Sequence, residues 1–254
     1  LGSGKEYLVT SRLNGLMAEV GVGNFGKLLE QLRSPGQSQL KVRVIDAMTT
    51  NETFWFRDIG HFNLLTDKVL PDLDRQRGGS IRIWSAACSS GQEPYNISMV
   101  AEDYQSSRSA VGAGRRDVEI LATDISTKML EQARRGIYCG IATDRGLTAE
   151  QQRRYFTQQE GCLEVRPEIR RRVRFRELNL NSGYEALGRF DVIFCRNVLI
   201  YFSSELKRDI LERLTRTLNP GGYLFLGSTE SINQLSDRFV MHVGDGGISY
   251  RLKD

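Results

Sequence analysis

Apolar positions in this chain recur first at helical spacing and later at strand spacing. Leu8, Leu13, Leu16, Met17 and Val20 make one amphipathic stretch, and Phe25, Leu28, Leu29 and Leu32 make a second. Ser34-Pro35-Gly36 interrupts the chain before a third helix near Leu40–Met48. Residues 1–48 therefore predict a small all-α N-terminal domain. The chain opens at Leu1 without a methionine, so further N-terminal structure is expected to be missing. Residues 49–78 predict a linker helix. Thr49-x-x-Glu52 fits a capping box at its start, and Trp55, Ile59 and Phe62 fall on one face. Thr53 and Arg57 fall roughly opposite, and the helix is expected to run over Thr53–Leu70 up to Pro71.

After Arg75-Gln76-Arg77-Gly78-Gly79 strands and helices alternate over 79–254. Ile81–Trp84, Val118–Thr123 and Phe190–Cys195 read as strands. Pro94–Gln105, Ser126–Arg135 and Ser203–Leu218 read as helices, and Asn219-Pro220-Gly221-Gly222 as a turn into a strand at Tyr223–Leu226. This alternation predicts an α/β domain with a mostly parallel sheet and helices on both faces. Phe239–Val243 and Ile248–Leu252, joined through Gly244-Asp245-Gly246-Gly247, read as an antiparallel C-terminal hairpin. The alternation lapses between 136 and 178. Glu160–Val165 and Arg172–Phe175 look like short strands there, which predicts a small inserted β-subdomain over about 138–177.

Composition narrows the chemistry. With 26 % charged and 40 % hydrophobic residues over 254, the chain has the balance of a soluble globular protein. No run approaches a membrane span and no signal peptide is visible, so a cytoplasmic location is expected. Cys88, Cys139, Cys162 and Cys195 show no metal-binding spacing and are expected to be reduced thiols. Only His61 and His242 are present, which argues against a histidine triad or a multi-histidine metal site, and no metal is expected. The net charge is +4, yet Arg153, Arg154, Arg166, Arg170, Arg171, Arg172, Arg174 and Arg176 crowd one segment. Such a run is either a solvated face or a surface for an acidic partner.

Three places could carry chemistry. The first βα turn, Ser85-Ala86-Ala87-Cys88-Ser89-Ser90-Gly91-Gln92-Glu93-Pro94, has small side chains that admit a nucleoside close to the backbone. It lacks G-x-G-x-x-G, and Glu93 would repel phosphate but could pair with an ammonium group. Asp124 ends the second strand, where a carboxylate either accepts ribose hydroxyls or caps the following helix. After the strand at Phe190–Cys195, Arg196 and Asn197 interrupt an apolar run and need partners. Tyr201, four residues beyond Asn197, either presents its hydroxyl to the same pocket or packs into the core.

These residues resemble those of the chemotaxis receptor methyltransferases (CheR-type), which transfer methyl from S-adenosylmethionine to glutamate side chains of bacterial chemoreceptors. The resemblance spans nearly the whole chain. It rests on Thr49-Thr50-Asn51-Glu52-Thr53-Phe54-Trp55-Phe56-Arg57, on W-S-A-A-C-S-S-G-Q-E-P-Y at 84–95, on A-T-D-I at 122–125, and on F-C-R-N-V-L-I-Y-F at 194–202. It implies a Rossmann-like S-adenosylmethionine methyltransferase domain with a linker helix closing the cofactor pocket. It implies cofactor contacts from Asn51, Thr53, Arg57, Ala86, Glu93, Asp124, Asn179, Leu180, Arg196 and Asn197, with Arg57 and Tyr201 flanking the methyl-transfer centre. The expected partner is the cytoplasmic helical domain of chemoreceptors, with no nucleic acid, no membrane insertion and a monomeric enzyme. The segment Phe156–Leu163 looks shorter than in members that tether to a C-terminal receptor pentapeptide and lacks an extra glycine, so tethering is not expected. Rival expectations are a nucleic-acid methyltransferase, suggested by the arginine run, and a non-catalytic module that senses the cofactor on receptors.

Overall fold

The computed structural model describes residues 6–76, 79–110, 116–244 and 246–253. Leu1–Gly4 at the start, Arg77-Gly78 of the expected domain boundary and Asp245 of the hairpin turn lie outside these. Three helices come first: α1 (Glu6–Glu19), α2 (Phe25–Arg33) and α3 (Ser38–Met48). They bury Leu13, Leu16, Met17, Leu28 and Leu40 together, with Asn24 capping α2 through the Lys27 amide at 2.9 Å. Asp46, near the end of α3, ties this bundle to the rest by accepting the Ser126 hydroxyl at 2.6 Å.

The linker departs from expectation. Residues 49–58 form an extended strap and a turn, not a helix. Thr49 ends α3 as its C-cap, its N–H bonded to Ile45 O, so Thr49-x-x-Glu52 is no capping box. Three adjacent aromatics pack in different directions, which one helix face cannot allow. Trp55 enters the subdomain core against Tyr138 and Phe156, Phe56 meets Phe62, and Phe54 lies under the Arg57 and Arg145 guanidiniums. Phe56 and Asp58 both have positive φ, which stops helix propagation. The helix begins only at α4 (Ile59–Leu64), and Ile59, expected inside, is exposed. A π-helical turn (Leu65–Val69) leads to α5 (Leu70–Arg75), where Pro71 sits in the first turn and is tolerated because no N–H is needed there.

The α/β part then unfolds in order: β1 (Ile81–Ala86), α6 (Gln92–Ala110), β2 (Val118–Asp124), α7 (Thr127–Arg135), β3 (Ile137–Cys139), α8 (Ile141–Asp144), α9 (Ala149–Tyr155), β4 (Phe156–Gln159), β5 (Cys162–Val165), α10 (Pro167–Arg170) and β6 (Val173–Glu177). It continues with β7 (Phe190–Cys195), α11 (Ser204–Thr217), β8 (Leu218–Phe225), β9 (Phe239–Gly244) and β10 (Gly247–Leu252). Seven strands form one sheet in the order β6-β2-β1-β7-β8-β10-β9. β6, β2, β1, β7 and β8 are parallel, while β10 runs antiparallel to both of its neighbours. The expected α/β fold, with its parallel sheet and C-terminal hairpin, is therefore what the chain adopts. The expected turn at Asn219-Pro220-Gly221-Gly222 is instead a bulge inside β8, where the register against β7 shifts between Phe190 and Val192. A bulge accommodates proline and a positive-φ glycine where a regular ladder would not.

The remaining strands pair as β3-β5-β4 in a separate sheet. The expected insertion over 138–177 ends sooner, because β6 belongs to the main sheet beside β2. There Phe175 packs on Tyr95. Antiparallel pairing sets Cys139 directly opposite Cys162, 4.3 Å apart at Cα, and the two form a disulfide. The expectation of four reduced thiols is corrected at this pair; their distance in sequence hid a neighbour relation that only strand pairing creates. Cys88 and Cys195 are free and buried.

Candidate functional site

Strand order reverses at β1, whose neighbours β2 and β7 lie on opposite sides. The crevice beyond the carboxyl ends of β1 and β7 is the usual ligand position in such sheets. The turn after β1 is tight: Ala87, Ser89 and Gly91 all have positive φ, and Ala86 is buried at the strand end. A Cβ on Gly91 would lie 2.8 Å from the Ala133 Cβ, so this position requires glycine. Asp124, at the end of β2, accepts the amides of Ser89 and Ser126 at 2.8 Å each and is further held by the amide of Ile125. Burial pushes its carboxyl up, and these amides pull it back down. Of a carboxylate's roughly four acceptor positions, three are used, and a ribose hydroxyl can take what remains. The helix-cap role belongs to Ser126, whose hydroxyl accepts the Met129 amide.

The strap lies across this turn. Ser89 Oγ donates to Asn51 O at 2.9 Å, so the same serine holds Asp124 through its backbone and the strap through its side chain. Thr53 is partly exposed on the strap. Asn179 and Leu180 follow β6, next to Asp124, whose carbonyl accepts the Leu178 amide at 2.9 Å. Asn179 is exposed, and its Oδ1 closes a local turn on the Asn181 amide, whereas Leu180 is buried in the core.

Arg196 is the centre of the charge network. Its side chain is 2 % exposed and bridges Glu93 at 2.9 Å and Asp58 at 2.8 Å, while also donating to Arg57 O. Glu93 takes Ser85 Oγ at 2.7 Å on its other oxygen. Burial pushes the Glu93 carboxyl up, opposed by Arg196. The ammonium partner expected for Glu93 is thus supplied from within, by a guanidinium. Arg196, expected to contact the cofactor, is first of all the bolt between the strap, β1 turn and β7. Its Nε is buried without a partner. Asn197 follows with positive φ, its amide donating to Glu230 at 2.6 Å. Glu230 also holds the amides of Gly227 and Ile200, which fixes the loop carrying Tyr201. Tyr201 is exposed and its hydroxyl is unpartnered, which removes the core reading. Asp58, Ser89 and Glu230 were missed in the sequence because each acts through backbone amides or a distant arginine. Only the adjacency of Asp58 to Arg57 hinted at one of them.

His61 was also missed. It is buried against Phe225, with Nδ1 unpartnered. Burial first, and then the Arg196 charge, push it down to about 4, while Asp58 acts the other way. A folded value below the unfolded ~6.5 means that the unfolded chain binds the extra proton. The stability His61 permits is complete above about pH 6.5 and is lost progressively down to about pH 4, amounting to about 3 kcal/mol. Urea titrations at pH 7 and pH 4.5 are expected to show this loss, and His61→Gln to flatten it.

Two carboxylates and a glycine-poor turn disfavour phosphate, while hydroxyl acceptors, a nearby buried guanidinium and close backbone suit a nucleoside with a zwitterionic tail. Among the described residues no group of three or more His, Cys, Asp or Glu could hold a metal, and no helix is long and apolar enough to cross a membrane. The family described as CheR methyltransferase, SAM binding domain, matches residues 51–247. This chain belongs to that family. The CheR assignment makes it an S-adenosylmethionine-dependent methyltransferase. Curated CheR relatives agree along the full chain. Chemotaxis protein methyltransferase 1 of Pseudomonas aeruginosa is 50 % identical over 100 % of this chain and 92 % of its own length. Chemotaxis protein methyltransferase Cher2 of Pseudomonas putida is 48 % identical over the same shares. The chemotaxis protein methyltransferase of Escherichia coli is 38 % identical over 95 % of this chain and 82 % of its own.

Proposed function

We propose that this CheR methyltransferase esterifies glutamate side chains on the cytoplasmic helical domain of chemoreceptors, acting as a cytoplasmic monomer without metal or nucleic acid. One observation carries the substrate class. Arg196, Glu93, Asp58 and Asp124 are all engaged with protein groups, whereas the Arg57 guanidinium touches only Glu52 O at 3.3 Å and the Phe54 ring. A cation at the crevice that makes no ion pair, and only feels the Glu93 charge from further off, is suited to receive a carboxylate from the substrate.

The chemistry asks little of the protein. A glutamate carboxylate, with a reference pKa of ~4.3, is already the nucleophile at neutral pH. When bound, the cofactor supplies a methyl group on a positively charged sulfur. Transfer of that methyl to the carboxylate oxygen would leave a neutral thioether and would move no proton, so no acid or base is asked of these residues. The residues here then need only orient the carboxylate, through Arg57, and line the transfer path, through Tyr201, while water is excluded. Asn51, Thr53, Ala86, Asp124, Asn179, Leu180 and Asn197 are proposed to surround the cofactor, with Glu93 and Arg196 fixing the wall beneath it.

Radiolabelled methyl transfer to a receptor cytoplasmic fragment tests this reading. Label is expected in the intact fragment and absent from one whose target glutamates are replaced by alanine. Label entering RNA, or cofactor binding with no transfer to any receptor fragment, would overturn it. The β4–β5 connection is a two-residue turn, Glu160-Gly161, with both residues at positive φ. So short a turn supports activity without a receptor pentapeptide, and calorimetry is expected to detect no tight binding of such a peptide.

A further inference from the structure

A second cleft, of about 370 Å³, opens on the sheet away from the carboxyl-end crevice, over β1, β2 and β6. Its origin is topological. A parallel crossover is ordinarily a helix that covers the sheet. Between β6 and β7, however, residues 178–189 hold only one 3₁₀ turn (Glu185–Leu187). α11 covers the β7 and β8 side of this face, so the β2–β6 side is left uncovered. In-register residues share a face, and Leu121 stands beside Arg174, with Thr123 beside Arg176.

The charges lining the cleft are unequal in availability. Arg82 is consumed: it donates to Arg189 O and Leu187 O, and it stacks on Phe190 at 4.7 Å. Arg172 is consumed by Glu102 and Gln105. Glu119 accepts Ser80 Oγ and faces Arg82. Arg171, Arg174 and Arg176 are exposed, and their side chains make no hydrogen bond or ion pair. Against these three cations stands one free carboxylate of the cleft lining, Asp117. Arg174 and Arg176 are two residues apart on one strand, roughly 6.6 Å along it. Their long side chains can converge on neighbouring anionic groups, and the guanidinium fork matches phosphate oxygens two at a time. Leu121 and Leu187 supply an apolar floor, and the volume lies within the ~300–1,000 Å³ range of small-molecule sites.

We propose that this cleft binds a small polyphosphate of the nucleoside triphosphate class, at the Arg174–Arg176 end and apart from the methyl-donor crevice. The test is calorimetric titration of the full chain with ATP at low salt. The protein is first saturated with S-adenosylhomocysteine, so that adenosine cannot enter the crevice. One saturable site is expected, weakened about tenfold by Arg174→Ala and further by the Arg174→Ala/Arg176→Ala pair. Arg153→Ala, which removes another unpaired arginine outside the cleft, is expected to change nothing. S-adenosylhomocysteine affinity should stay constant in every variant, showing that the fold is intact. Inorganic tripolyphosphate binding as tightly as ATP supports recognition of the phosphates alone, and tighter ATP binding supports a base on the apolar floor. No saturable binding would overturn the proposal and leave the arginines as guards of an open sheet edge. Equal weakening by Arg153→Ala, or loss of ATP binding when S-adenosylhomocysteine is present, would overturn it too.

Discussion

Arg196→Met is expected to cost the fold about 3–5 kcal/mol and to weaken S-adenosylhomocysteine binding as well. Methionine fills much of the same space, so the loss is electrostatic. Glu93, whose side chain is 13 % exposed, would keep its charge with Ser85 and only the more distant Arg57 charge, and Asp58 would keep Ser228 but lose its ion-pair partner. A buried charge without compensation is far more costly than a buried pair removed whole. Arg196→Met/Glu93→Gln should therefore recover a large part of the stability. It should not recover cofactor affinity fully, because Arg57 O and Asp58 still lose the guanidinium that holds the strap. Denaturant titration and calorimetry on the single and double variants separate these two effects. Equal stability of the single and double variants would refute the compensation argument.

The second large effect is kinetic. Arg57→Ala is expected to lower turnover by about 10²-fold or more while leaving S-adenosylhomocysteine affinity within about twofold. The backbone of Arg57 serves the wall through Arg196, and alanine keeps that carbonyl. What disappears is the guanidinium proposed to align the incoming carboxylate. A weak hold suits this task, since tight pairing would stabilise the carboxylate before attack and raise the barrier. Arg57→Lys, which keeps a point charge but not the fork, should restore only part of the rate. Near-normal receptor methylation by Arg57→Ala would refute the role.

Helices α1, α2, α7 and α11 were legible in the sequence because each buries one periodic face, whereas strands β1 and β7, buried on both faces, read as short apolar runs and α6 is buried almost all round. The strap was not, since Trp55, Ile59 and Phe62 mimic a helical stripe while Thr49 is in fact ending the helix before it. Nothing local distinguishes a capping threonine at a start from one at an end; the neighbours of Trp55 across the fold decide it. Likewise Arg172–Phe175 reads as a strand from its own residues, but only the pairing of β6 with β2 assigns it to the main sheet. For the site, residue types were readable and partners were not. Glu93, Asp124 and Arg196 stand out as polar groups in apolar surroundings. That Glu93 is answered by Arg196, 103 positions away, and Asn197 by Glu230, is a matter of topology.

One contact bears on how the protein comes into being. Gly60, at the start of α4, and Gly247, at the start of β10, meet backbone to backbone; a Cβ on Gly60 would fall 2.3 Å from the Gly246 carbonyl, and one on Gly247 2.3 Å from the carbonyl oxygen of Gly60. α4 continues directly from the strap, so the wall of the crevice leans on a strand from the far end of the α/β part. Chains emerge from their N-terminus, at roughly 5–20 residues per second. A nascent chain that has already folded its bundle and the strands through β8 still has an unsupported crevice. Residues 247–252 must slot between β8 and β9 before α4 and the strap it carries have their support.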